Sequence, residues 1–247
     1  MSIYVGAGDK SKKVSKIYLG VNGGGRLVNK VYMGIDGKAK LVYSSGTPIG
    51  NVAEGSAVYV LESGKRVKFI LAKHNYESSL NGSGKHLLVR ASPLSDNVIR
   101  NNMDWVKDTS LRTWLSGTYA KRLDSNFQKR VVSVSCKYIC RGSTYTATGQ
   151  KYLIPSYSDL EAWSQTVVDA LATSLGNYTY FQLRDTTDTA PWNSDDEDNY
   201  YYYGYFGKTS ARNYIGRSAT TYPNENVLPC FCVDGQVTVE DNGYLSV

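Results

Sequence analysis

The run Ser158-Asp159-Leu160-Glu161-Ala162-Trp163-Ser164-Gln165-Thr166-Val167-Val168-Asp169-Ala170-Leu171, closing at Gly176, carries the clearest helical signal in the chain. Leu160, Trp163, Val167, Val168 and Leu171 recur at helical spacing and make one apolar stripe. Ser158 with Glu161 three residues later reads as a capping box. Gly176 suits the position just past the last turn, where a left-handed backbone is needed. Beyond it the helical period stops, and Tyr178-Thr179-Tyr180-Phe181-Gln182-Leu183-Arg184 is strand-like.

Upstream, Asp108-Thr109-Ser110 precedes a second amphipathic stretch, with Leu111, Trp114, Leu115 and Tyr119 on one face. The tryptophans of both stripes read as core anchors. Val58-Tyr59-Val60, Val67 to Ala72 and Leu87-Leu88-Val89-Arg90 read as strands, with Gly64 in the first turn, and Val131 to Val134 reads as another. Downstream, Val227 to Val233 reads as a strand that starts at a proline-containing edge. Gln236 to Val239 is expected to return from it as a terminal hairpin across Asp234-Gly235. Helices set among short strands define an α+β domain.

A different pattern stands at the start. Lys16-Ile17-Tyr18-Leu19-Gly20-Val21-Asn22-Gly23 is repeated as Lys30-Val31-Tyr32-Met33-Gly34-Ile35-Asp36-Gly37. Asn-Gly and Asp-Gly are strong two-residue turn signals, because type I′ turns need positive φ at both positions. Residues 13–43 therefore read as two tandem β-hairpins, too small to hold a core of their own and suited to pairing with other copies or chains. Ser44-Ser45-Gly46-Thr47-Pro48 reads as a linker. The expected division is an attachment module over 1–46 and a main domain over 47–247.

Charge follows the same division. Residues 1–50 hold eight Lys or Arg against Asp9 and Asp36, which equals the net +6 of the whole chain; the remainder balances at 20 basic and 20 acidic residues. A nucleic-acid binder needs its basic patch on the main domain, so no nucleic-acid partner is expected. No apolar run is long enough to span a membrane. The start MSIYVGAGDKSKK lacks an apolar h-region, so no secretory signal is expected either. Cys136, Cys140, Cys230 and Cys232 have no zinc-site spacing and read as reduced thiols, in the core or at the surface.

Tyrosine is the compositional outlier, at 21 residues against five Phe and four Trp. A tyrosine offers large contact area with a polar tip at low entropic cost, which suits a binding surface; β-rich structure also favours it. Many of these residues fall in one long polar segment, Asp185 to Asn226. There the candidate ligand-binding residues are Trp192, Asn193, Asp195, Asp196, Asp198 and Asn199, then Tyr200, Tyr202, Tyr203, Tyr205 and Phe206, then Lys208, Arg212, Asn213, Tyr214 and Arg217. Rigid aromatic area mixed with adaptable polar groups is paratope-like chemistry. The structural alternative is a tyrosine-rich strand pair that alternates between core and solvent, and the two are compatible. The run Asp195 to Asp198 lacks the ligand spacing of a dedicated calcium loop and reads as a solvated acidic turn. His74 and His86 lie in no catalytic motif, and no GxSxG, HExxH or P-loop sequence is present. No catalytic residue, metal or cofactor is expected.

Several of these segments resemble known phage proteins. The repeat at Lys16–Gly23 and Lys30–Gly37 resembles short modules of tail and baseplate-associated proteins of phages that infect Gram-positive bacteria. Phe69 to Ser78, Leu111-Arg112-Thr113-Trp114-Leu115 and Tyr152-Leu153-Ile154-Pro155-Ser156-Tyr157-Ser158 resemble a domain of unknown function found in the same phage proteins. Its usual Trp-Leu-Arg-Ser segment and closing Arg-Pro have only partial counterparts here, in Tyr180–Arg184 and Val227-Leu228-Pro229, which makes this a divergent member. The end of that domain is similar to the C-type-lectin-like fold shared by formylglycine-generating-enzyme-like proteins and the variable proteins of diversity-generating retroelements. In the latter, Asn/Tyr/Ser/Asp-rich positions near the C-terminus form the ligand surface, and residues 193–226 look like such a stretch. The catalytic cysteines of formylglycine-generating enzymes have no secure counterpart.

The resemblance implies a virion protein of the phage tail, assembled in the host cytoplasm. It would attach to other phage tail proteins through residues 13–43, as a homo-oligomer with a trimer favoured, and it would bind a bacterial surface glycan or protein. The alternatives from the sequence are a structural tail or baseplate subunit and a tail-associated glycan hydrolase, since paired carboxylates leave no sequence signature.

Overall fold

The computed structural model describes residues 4–7, 10–13, 17–21, 24–28, 30–35, 37–44, 46–94, 96, 98, 102, 104–140, 142–176, 179, 181–186, 200–206, 212–218 and 226–246. It is an α+β chain whose strand ladders are all antiparallel.

The N-terminal strands form hairpins. β1 (Tyr4–Ala7) pairs with β2 (Lys10–Lys13), β3 (Ile17–Val21) with β4 (Gly24–Val28), and β5 (Lys30–Ile35) with β6 (Lys38–Ser44). The two hairpins read from the repeat are β3–β4 and β5–β6. Lys13, at the expected start of the module, instead ends an additional hairpin whose sequence lacks the repeat's turn signal.

The short strand β7 (Thr47–Pro48) leads into β8 (Ala57–Glu62) and β9 (Lys65–Lys73). Between the latter two, Ser63 and Gly64 take φ values of 51° and 74°, the two left-handed positions of a tight hairpin turn. A one-turn helix α1 (Ser78–Asn81) precedes β10 (Lys85–Arg90). Helix α2 (Ser110–Trp114) continues through wider and tighter turns to Arg122. Asp108, not its neighbours, supplies the cap: its Oδ1 accepts the Leu111 N–H at 3.0 Å. Then come α3 (Ser125–Gln128), β11 (Val131–Val132), β12 (Val134–Cys140), β13 (Ser143–Gln150) and β14 (Tyr152–Leu153). Helices α4 (Tyr157–Ala162) and α5 (Gln165–Leu175) lead to β15 (Phe181–Thr186), β16 (Tyr200–Phe206) and β17 (Arg212–Ser218). The chain closes with β18 (Cys230–Asp234), β19 (Thr238–Val239) and β20 (Leu245–Ser246).

The central sheet has the order β11-β18-β10-β9-β8, and β14 continues along the β11 edge of β18. Val58, Val60, Phe69 to Ala72, Leu87 to Val89 and Cys230 to Val233 are buried, as near-continuous apolar runs in central strands should be. Helix α5 packs on β9 with Val167, Val168, Leu171 and Leu175 buried.

The predicted single helix from Ser158 is two helices that break at Trp163-Ser164, and its capping box lies two residues earlier. Ser156 Oγ accepts from Asp159 N at 3.0 Å, while Asp159 Oδ2 accepts from Ser156 N at 2.9 Å. Asp159 takes this role over Glu161 because its carboxylate is also required inside, against Arg184. The predicted terminal hairpin across Asp234-Gly235 does not form. There the chain turns away, and Thr238-Val239 pairs with Pro48-Thr47 on one side and Ser246-Leu245 on the other. Residue 47 and the C-terminal strands thus share one sheet. Pro229 lies just before β18 rather than at a sheet edge, and its carbonyl accepts from Arg90 N at 3.0 Å.

Candidate binding surface and its anchor

The long polar segment enters from β15, and the burial of β15 sets up everything beyond it. All six residues Phe181 to Thr186 are buried, polar ones included. A charged pair in such a strand requires full compensation. Arg184 receives it from every side: Nη1 lies 2.8 Å from Asp159 Oδ2 and donates to Ile154 O at 2.7 Å, Nε donates to Lys137 O at 2.8 Å, and Nη2 donates to Tyr76 Oη at 2.8 Å. Asp185 accepts from Ile139 N at 2.6 Å and from Tyr157 N. Burial raises the Asp185 carboxyl above the ordinary range, although Arg184 and the two backbone donors pull it down. The Tyr76 hydroxyl is likewise pushed well up by burial. One residue pair thereby ties β15 to β12, to the segment before α4 and to the loop after β9.

On this anchor the chain builds a three-stranded sheet of order β15-β16-β17. Tyr203 pairs with Gln182 and Gly204 with Phe181 on one side; on the other the β16–β17 register is unbroken from Tyr200↔Ser218 to Phe206↔Arg212. Helix α4 packs against β16 and β17. Of the candidate ligand-binding residues, Tyr200, Tyr202, Tyr203, Tyr205 and Phe206 lie in β16, and Arg212, Asn213, Tyr214 and Arg217 in β17. Cross-strand partners share a face, so positions 202, 206 and 212 lie on one side of the ribbon and 203, 205, 213 and 217 on the other. The long polar segment therefore contains the tyrosine-rich strand pair that its sequence offered as the structural alternative. Trp192, Asn193, Asp195, Asp196, Asp198, Asn199 and Lys208 lie outside the described residues.

Sequence reading missed two further features. The first is the Arg184–Asp159 centre, whose only signal is an Arg-Asp pair inside an apolar strand. The second is a histidine pair on the central sheet: His74 Nδ1 and His86 Nδ1 are 2.8 Å apart, and His74 Nε2 is 2.8 Å from Val52 O. A carbonyl only accepts, so His74 carries its proton on Nε2, its Nδ1 accepts, and His86 donates from Nδ1. This leaves His86 Nε2 as the position that takes up a further proton. All four cysteines are free and buried, which resolves the open choice in favour of core thiols. Among the described residues no group of three or more His, Cys, Asp or Glu is placed to hold a metal ion. No helix of the described residues is long and apolar enough to cross a membrane.

No family model matches the chain, and no curated protein or solved structure does.

Proposed function

We propose that the chain is a non-enzymatic receptor-binding protein of a phage tail that contacts a bacterial surface glycan or protein through the β16–β17 ribbon. The observation that carries this reading is the contrast across one strand junction. A tyrosine-rich ribbon, with Asn and Arg interspersed, is hydrogen-bonded to β15, which is wholly buried and locked by Arg184 and Asp185. Recognition surfaces need this combination, because a pre-organised base lowers the entropy lost when aromatic side chains engage a ligand.

In this reading residues 47–247 form a C-type-lectin-like domain. The pairing of Thr47-Pro48 with Thr238-Val239, which brings the start and end of that domain together, supports it, as does the insertion of a ribbon between β15 and β18. Residues 1–46 are the attachment module. Their hairpins join tail proteins or further copies of the chain in a homo-oligomer, a trimer by preference, and multivalency then turns weak contacts into avidity.

The test is binding of labelled protein to a panel of Gram-positive cells, beside a variant in which a Gly/Ser linker of about ten residues replaces 187–225, enough to span from Thr186 to Asn226 at the reach of an extended chain. Strain-selective binding lost in the replacement, with a cooperative urea transition retained, supports the reading. Equal binding by both proteins overturns it.

A further inference from the structure

We propose that the cleft between the loop after β9, Lys137 on β12 and the start of α4 is a second ligand site, for a small hydroxyl-rich anion of the sugar-acid or sugar-phosphate class. The cleft has a volume of about 340 Å³, within the range that holds a monosaccharide. It lies on described residues and shares no residue with the β16–β17 ribbon.

Its floor is the buried centre already described. Asp159 and Tyr76 line the cleft, but the Asp159 charge is consumed by Arg184 at 2.8 Å and by the Ser156 amide at 2.9 Å. The charges left to face a ligand are those of Lys73, Lys137 and Glu77. Lys137 Nζ is 3.8 Å from Glu77 Oε2, and Lys73 Nζ is 4.0 Å from Glu54 Oε1, an oxygen already held by the His74 amide at 2.7 Å. Both lysine side chains keep 40% or more of their surface exposed. An ammonium has three donors, so each can turn one to an anion without breaking a tight pair. With Asp159 matched by Arg184, the lining carries two lysines against one glutamate, and Glu54 offsets Lys73 from just outside it, so the cleft draws an anion through two half-exposed ammoniums rather than through a net positive field and matches at most one negative charge.

The rim supplies groups for hydroxyls. Ser78, Ser79 and Ser158 are exposed at the mouth, and Asn75 has its carbonyl oxygen committed to Gly84 N at 2.7 Å, so it offers its NH₂. The loop is held in a shape that an ordinary chain avoids. Asn75 and Glu77 both take left-handed φ, 48° and 46°. It is fixed there by Tyr76 N donating to Lys85 O at 2.9 Å and by Asn81, whose side chain pairs with Ser135 in both directions at 2.7 and 2.8 Å. Strain of this kind persists where surrounding structure over-determines it, and it clusters at ligand clamps. Here it turns the residue 75–79 backbone around the cleft mouth.

The experiment is a titration of the full chain, followed by backbone amide NMR shifts, with glucuronate, glycerol 3-phosphate and, as a neutral control, methyl glucoside. Saturable shifts at residues 75–79, 137 and 158–163 are expected with at least one anion. The expected dissociation constant is about 1 mM, the scale a ligand of about a dozen heavy atoms reaches in an open site. The two anions separate the carboxylate source from the phosphate source. Lys137→Gln and Lys73→Gln should each weaken binding about tenfold, the value of one charge-assisted hydrogen bond. Lys137→Gln leaves the anchor intact, because Arg184 uses only the Lys137 carbonyl. The ribbon variants Tyr205→Ala and Arg212→Ala keep the ribbon on α4 and should bind the anion as the full chain does, so this site stands or falls apart from the ribbon's ligand. Absence of saturable shifts with both anions at about 20 mM, or equal binding of methyl glucoside, overturns the proposal.

Discussion

Arg184 Nη1 lies 2.8 Å from Asp159 Oδ2 with both side chains withdrawn from water, so the capping carboxylate of α4 is also the counter-ion of β15. A buried pair of this kind is costly to break from one side, because the partner is left charged and unmatched. Arg184→Leu should therefore destabilise the chain by about 3–5 kcal/mol, read as a fall in the urea midpoint. Adding Asp159→Asn should recover part of that loss, since the orphaned charge is removed. Strict additivity of the two substitutions would show that the pair is not coupled.

Asp185 makes a sharper test of the same anchor. Its two carboxylate oxygens face two backbone donors, Ile139 N and Tyr157 N. Asp185→Asn keeps the shape but must point an NH₂ at one of those N–H groups. The expected cost is about 1–3 kcal/mol, that of an unmade buried hydrogen bond. No change in the unfolding midpoint would mean that one of the donors is satisfied elsewhere.

How much of this was legible beforehand depends on whether the signal is periodic. The stripe of Leu160, Trp163, Val167, Val168 and Leu171 is buried as its spacing predicts, because apolar periodicity reports directly on burial. The turn at Gly64 and the repeat hairpins were readable for a similar reason, since positive φ restricts the residues allowed. Caps and strand partners were not. Ser158–Glu161 and Ser156–Asp159 are both plausible capping pairs, and only the long-range contact with Arg184 selects the second. Asp234-Gly235 carries a hairpin signal, yet Thr238-Val239 finds its partner almost two hundred residues away, at Thr47-Pro48. Of the candidate ligand residues, the tyrosines of β16 stood out by composition. Lys73, Lys137 and Glu77 did not, because nothing local links them.

The histidine pair predicts a pH dependence. His86 has its pKa lowered from the ordinary 6.5, chiefly by burial and then by the adjoining His74, while Asp234 works in the opposite direction. The folded chain therefore binds the extra proton less readily than the unfolded chain does. Stability from this source is fully present above about pH 6.5 and is lost as the pH falls from there through the folded-state value. Urea midpoints measured from pH 8 down to pH 5 should decline below that point, and His86→Asn, whose Nδ2 stands near the place of Nδ1 and can still donate to His74, should flatten the decline. An unchanged slope in the variant would assign the dependence to other groups.

The thiols should be inert while the fold holds. Burial pushes Cys136 to about 11 and raises Cys230 and Cys232 well above the ordinary thiol value, and the thiolate is the reactive form. Native protein treated with iodoacetamide at pH 8 should carry no label on Cys136, Cys230 or Cys232 after minutes, and all four cysteines should react in denaturant. Rapid labelling of Cys230 or Cys232 in native protein would show that the central sheet opens locally.

Alanine at Tyr202, Tyr205 or Arg212 tests the binding surface one face at a time. The β16–β17 register sets positions 202 and 212 on one face of the ribbon and 205 on the other. A hot-spot residue loses at least about 2 kcal/mol on truncation, or about thirtyfold in affinity, and an oligomer compounds the loss through avidity. If the ligand lies along the 202 face, Tyr202→Ala and Arg212→Ala fall together and Tyr205→Ala binds cells normally; the reverse pattern assigns the other face. Urea midpoints should stay within about 0.5 kcal/mol of the parent for a residue whose role is contact rather than packing. Unchanged cell binding across all three variants would remove the ribbon from the candidate site and move weight to a structural role in the tail.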